Sequence, residues 1–170
     1  IDFAAIRRNW RPLLIAGVLL GLNWVTLFEA YRYTTVAVAT LCTYLNPIII
    51  VFGAAILMHE QLTARKLLCI AVALIGMVFV SGVADSGLPT AGEAKGILLG
   101  LLTAVLYGCI VLSNKQLRDI SAYDRTLVQL FITTLVLIPY CILHGDFVGL
   151  QITGGQLALL LILGVVHTGV

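Results

Sequence analysis

The stretch from Tyr33 to Met58, YTTVAVATLCTYLNPIIIVFGAAILM, carries no charged residue, yet its centre, TYLNPIII (43–50), sets an amide and a proline where an apolar helix tolerates them least. A run this long reads as a membrane-crossing helix, because about 20 residues are needed to span a hydrocarbon core of about 30 Å. The rest of the chain repeats the pattern. Charges gather in short clusters that leave uncharged runs at 12–28, 33–58, 67–84, 96–114, 126–143 and 147–170. Of 170 residues, 61% are hydrophobic and 11% charged, with mean hydropathy +1.08; soluble domains hold about 45–50% and about 25%. Lipid offers backbone groups no hydrogen-bond partner, so such runs form helices or a closed barrel, and the period-two alternation of a barrel is missing. The fold class is therefore all-α, a multi-spanning transmembrane helix bundle. Its spans are predicted at about 12–31, 34–58, 66–83, 95–114, 125–143 and 156–170, with an outer linker over 84–94.

Charge placement orients the bundle. With residues 1–11 cytoplasmic, the inner loops hold Arg7, Arg8, Arg11, Arg65, Lys66, Lys115, Arg118 and Arg125, and the outer ones only Arg32 and Lys95. The net charge of +2 gives nucleic acid nothing to bind. Cys42, Cys69, Cys109 and Cys141 each lie in a different run and read as small packing residues rather than disulfide partners. The chain begins at Ile1 and ends partway through its sixth run, so it reads as an internal fragment of a larger bundle. Gly17-x-x-x-Gly21 and Gly96-x-x-x-Gly100 are small-residue faces on which a neighbouring helix can approach the backbone.

Catalysis has no candidate. No P-loop, HExxH, GxSxG or CxxC spacing occurs, so no enzyme activity, cofactor or metal is expected. Polar groups at membrane depth are the better signal, since each is costly there unless it is paired or faces a cavity. Measured from the ends of each run, Asn23, Trp24, Tyr44, Asn46, Tyr107 and His167 fall near mid-depth on four helices, a set suited to a small polar or aromatic ligand. Pro47 removes the hydrogen bond to the Thr43 carbonyl and is expected to push Asn46 off helical angles, bending the span there. Glu29, three residues from Arg32, is expected to pair with it. Glu29 and Glu60, at the outer and inner ends of their spans, are the candidate gate or coupling residues. The competing reading is that the same polar groups only hold helices together.

These residues also resemble a known family. The segment FEAYRYTTVAVATLCTYLNPIIIVFGAAILMHEQLTARKLLCIAVALIGMVFVSG (28–82) is similar to the core of an EamA-type domain of the drug/metabolite transporter superfamily. The resemblance is carried by Ala30, Tyr33-Thr34, the small residues Ala37 to Thr40, Pro47, Glu60, Leu62-Thr63 and Gly76. The stretches GLLTAVLYGCIVLSNKQL and LGVVHTGV resemble helices of a second repeat. It implies a ten-helix parent of two inverted five-helix repeats. Residues 1–83 would be the latter part of the first repeat and 95–170 the first part of the second. It also implies a secondary transporter, an exporter in a bacterial cytoplasmic (inner) membrane. Its expected partners are a small-molecule substrate and the lipid bilayer, with a homodimer left open.

Overall fold

The computed structural model describes residues 1–59, 61–80, 91–144, 154–162 and 164. Among these, all regular structure is helical. The helices are α1 (Phe3–Arg8), α2 (Trp10–Ala30), α3 (Val36–Thr43), α4 (Asn46–Met58), α5 (Ala64–Val80), α6 (Ala94–Asn114), α7 (Ala122–His144) and α8 (Gly154–Ile162), with a 3-10 turn at Ala91–Glu93. Four segments are long and apolar enough to cross a membrane: Trp10–Ala30, Val36–Leu57, Ala94–Asn114 and Ala122–His144. The first and third have 21 residues, about 31 Å at 1.5 Å per residue. The protein is a multi-pass helical membrane protein, as the uncharged runs predict. The third predicted span is present as the 17 described residues of α5, and the sixth as the nine of α8.

Two compact units divide the chain, Ile1–Tyr140 and Cys141–Val170. The second holds the end of α7 and α8, whose described side chains are exposed. In the first, α6 is the central helix. It packs most extensively on α2 and also along α3 and α4. One stripe of α6, spaced at i, i+4, is small: Gly96, Gly100, Ala104, Gly108. A Cβ on Gly96 would lie 2.6 Å from Thr34 Cγ2, one on Gly100 2.8 Å from Cys42 Cβ, and one on Gly108 2.7 Å from Ile49 Cγ2. On α4, Gly53 meets Leu112 in the same way. Lipid tails are as apolar as leucine, so helices in a bilayer gain little from hiding apolar surface and depend on close contact. The small stripe supplies that contact.

The Gly17-x-x-x-Gly21 face of α2 meets α7, where added Cβ atoms would lie 2.7 Å from Ile132 Cβ and from Val136 Cβ. The approach lets the buried Thr133 hydroxyl donate to the Gly17 carbonyl at 3.1 Å. Residue pairs fix the directions. On α2 and α7, 17 meets 132 and 21 meets 136, so they run parallel; on α6 and α3–α4, 96 meets 34 and 108 meets 49, also parallel. Asn23 meets Thr103 and Asn9 meets Arg118, so α2 and α6 run antiparallel. This is the alternation the charge pattern demands.

Residues 1–11 are not the plain basic loop expected. Asp2 Oδ1 accepts from the N–H groups of Ala4 and Ala5 and starts α1. Asn9 then ends α1 and precedes α2. Its buried amide donates to the Ala5 and Arg118 carbonyls, both at 2.9 Å, and its Oδ1 accepts from Arg118 N–H at 3.1 Å. Arg8 adds an exposed ion pair to Asp119 at 3.1 Å. The α1–α2 junction is thereby latched to the loop between α6 and α7. Hydroxyls open three other helices: Thr35 accepts from Val38 N–H, Thr63 from Lys66 N–H and Ser121 from Asp124 N–H. Of the four cysteines only Cys42 is buried. Cys69, Cys109 and Cys141 are on exposed faces, so for them the packing role fails within this structure.

Two predictions follow from the packing. Gly100→Val should cost about 1–3 kcal/mol by overpacking, whereas Gly76→Ala, which meets nothing within 4 Å, should leave stability unchanged or slightly raised; unfolding in mixed micelles measures both. Asn9→Ala should cost about 1–3 kcal/mol, because the Arg118 amide and carbonyl lose their partner, while Arg8→Ala should change stability by less than about 1 kcal/mol.

Candidate functional site

The Tyr33–Met58 span is two helices rather than one bent helix. α3 ends at Thr43, Tyr44 and Leu45 form a turn, and α4 begins at Asn46. Around the turn the bonds shorten to the i→i−3 type: Leu45 N–H donates to the Cys42 carbonyl at 3.2 Å and Ile48 N–H to Leu45 at 3.1 Å. The expected displacement of Asn46 is corrected. Asn46 is helical, and Pro47 sits in the first turn of α4, where a missing N–H leaves nothing unsatisfied. The interruption lies two to three residues upstream, with Tyr44 and Leu45 at φ, ψ of −72°, −1° and −74°, −7°.

Depth can be read from the pairs along α6. Cys42 lies beside Gly100 and Ile49 beside Gly108, so Tyr44–Pro47 flank the middle of α6 near Thr103 and Ala104. Asn23 is at that level on the α2 side: it is buried, and its Nδ2 donates to the Thr103 carbonyl at 2.7 Å. The Thr26 and Thr103 hydroxyls are 3.0 Å apart beside it. Sequence reasoning missed both threonines, because a hydroxyl that can bond its own helix carries little signal in an apolar run. Tyr107 is one turn further along the Thr103 face and 40% exposed; Tyr44 is 37% exposed, and Trp24, Asn46 and Pro47 are half-buried. Asn23 is thus committed to a neighbouring helix, while the indole, phenols and second amide lie open at about the same depth. His167 and Glu60 lie outside the described residues.

Glu29 pairs with Arg32 as expected, Nη1 to Oε1 at 3.0 Å, and the same oxygen accepts from the Tyr140 hydroxyl of α7 at 2.9 Å. The bond to Glu29 raises the Arg32 guanidinium above its ordinary pKa. Nearby, the Lys95 ammonium stands 3.9 Å from the centre of the Tyr33 ring, and the Thr34 hydroxyl donates to Glu93 at 3.1 Å. These contacts close the end of the bundle opposite the Asn9 latch.

A cleft of about 470 Å³ lies at the latch end, between α4, α5 and the residue after α6. Its floor is Ile50, Val51, Ala54, Cys69 and Ile70; its rim is Arg65, Lys66 and Lys115. It exists because α5 touches α4 only sparsely and leaves a wedge between them. No sequence motif announces it, since it is assembled from three separate segments.

Residues 3–82 match the sequence profile of the EamA-like transporter family. Along 96% of its length the chain is 27% identical to the "Uncharacterized transporter YxxF" of Bacillus subtilis (strain 168), covering 52% of that protein. An "Uncharacterized transporter" of Archaeoglobus fulgidus is 27% identical over 82% of the chain and 50% of its own length. The "Uncharacterized transporter YojE" of Bacillus subtilis (strain 168) is 26% identical over 92% and 49%. The chain spans about half the length of the curated relatives it matches. No solved structure matches it. The EamA-like stretch over 3–82, transporter relatives along nearly all of the chain and the multi-pass helical bundle together support an EamA-type transporter.

Proposed function

We propose that this chain forms part of a secondary transporter that exports a small organic metabolite or drug across a bacterial cytoplasmic membrane by alternating access, with residues 1–11 on the cytoplasmic side. The observation that carries the reading is the match of residues 3–82 to the EamA-like transporter profile, joined to relatives that are themselves named transporters. Two features of the bundle support it. The break at Tyr44–Leu45 interrupts a span at the depth of Asn23 and Thr103, and interrupted helices are where transporters hold their ligands. The bundle also carries separate polar closures at its two ends, Asn9–Arg118 and Glu29–Arg32–Tyr140, as a two-gated pathway needs.

In this reading Trp24, Tyr44, Asn46 and Tyr107 face the substrate, and Asn23 fixes α2 to α6 beside it. Pro47 starts α4 cleanly after the break. Glu29 acts at the outer gate and Glu60 at the inner one. The protein takes no nucleic acid and acts without an enzymatic step. A non-transporting structural or sensor protein is the alternative, and the observation favouring it is Asn23, whose amide is spent on holding two helices together.

Asn46→Leu and Tyr107→Leu should each lower export about tenfold or more, the loss expected when a ligand hydrogen bond is removed, with membrane insertion unchanged. Metabolite profiles of the medium around cells producing each variant, with membrane fractionation as control, give the readout. Normal export in both variants would remove the pocket. Single cysteines at 46 and 107 that stay unlabelled by water-soluble reagents from both sides would favour the alternative.

A further inference from the structure

We infer that the cleft between α4 and α5 is a binding site for an anionic phospholipid of the adjoining leaflet. The proposal rests on the membrane fold and is independent of the transport reading.

The chemistry of the lining divides by depth. Arg65 and Lys66 open α5 and Lys115 directly follows α6, so three cationic side chains meet where the spans leave the bilayer. Among the described lining residues none is acidic. Lys66 Nζ also donates to the Gln61 carbonyl at 3.3 Å, which draws its ammonium toward the connecting turn. Below the cations the wall is aliphatic: Ile50, Val51 and Ile70. Ile50 lies eight residues before the end of α4, about 12 Å into the membrane. A phosphate at the rim therefore has its acyl chain beside carbon, at the depth where a lipid carries it.

Charge complementarity selects the headgroup, because basic pockets between helices at this surface hold anionic lipid phosphates. The apolar wall selects lipid over a soluble anion. Inorganic phosphate would meet the same cations but leave Ile50, Val51 and Ile70 uncovered. Orienting the protein by the positive-inside rule requires basic residues in the loop, but it does not require three of them to converge on one apolar cleft.

The test uses the complete protein in a neutral detergent, with retained lipid counted by native mass spectrometry. Phosphatidylglycerol, phosphatidylcholine of the same chains and inorganic phosphate are added separately. Phosphatidylglycerol should be retained in preference to phosphatidylcholine. Arg65→Gln, Lys66→Gln and Lys115→Gln should each weaken retention about fivefold, and the triple variant about a hundredfold, from about 1 kcal/mol per cation. Arg11→Gln removes the same charge outside the cleft and should change nothing. Gel filtration and circular dichroism establish that each variant is folded, and Arg65→Lys should retain the lipid. Equal retention of both lipids, a triple variant that binds like the parent, or the same loss in Arg11→Gln would overturn the site. Phosphate binding as tightly as the anionic lipid would overturn the choice of occupant.

Discussion

Most of the packing in the first unit depends on how closely the backbones of α2, α3 and α4 can come to α6. In water the burial of apolar side chains would drive such a bundle together; in a bilayer that force is nearly absent between helices, and dispersion over short distances takes its place. Dispersion falls steeply with separation, so one methyl group on the stripe Gly96, Gly100 and Gly108 would displace α3 and α4 from their positions. The polar contacts come second and depend on this approach. Asn23 reaches the Thr103 carbonyl at 2.7 Å, and Thr133 reaches the Gly17 carbonyl, because the helices that carry them are already close.

The interruption at Tyr44–Leu45 shows how an apolar span accommodates proline. A proline deep inside a continuous helix costs about 3 kcal/mol or more through a lost bond and a steric clash. Ending one helix and beginning another removes most of that cost, since position N1 or N2 has no internal acceptor to miss. The consequence is that backbone polarity appears at mid-depth, beside side chains whose own polar atoms are accessible. Such a site is tolerated in a membrane protein only where other protein or water faces it.

Much of this was legible in the sequence, for physical reasons that differ by element. The spans stand out because hydrocarbon imposes a length, and the chain alternation follows because loop charge imposes an orientation. Gly17 and Gly21 were readable since a four-residue interval puts both on one face, and Ile132 and Val136 fill that face. The position of the helix break was not. A proline announces that a bond is missing, but the chain can absorb the defect upstream, as it does at Leu45. Asn9 was illegible for another reason: it sits among arginines in a segment that reads as topology alone, and its partner Arg118 is 109 residues away. The basic cleft needed three segments to be placed before it existed.

The position of α6 in the chain sets the order in which the bundle can assemble. The stretch that matches the family profile ends at residue 82, and the helix that joins its parts begins at Ala94. Until α6 has emerged and entered the bilayer, α2 lacks a partner for its amide, and the small-residue contacts of α3 and α4 have no surface to meet. Within this chain, the polar contact of α2 through Asn23 and the small-residue contacts of α3 and α4 are all made to α6. The second half of the chain thus supplies the keystone of the first.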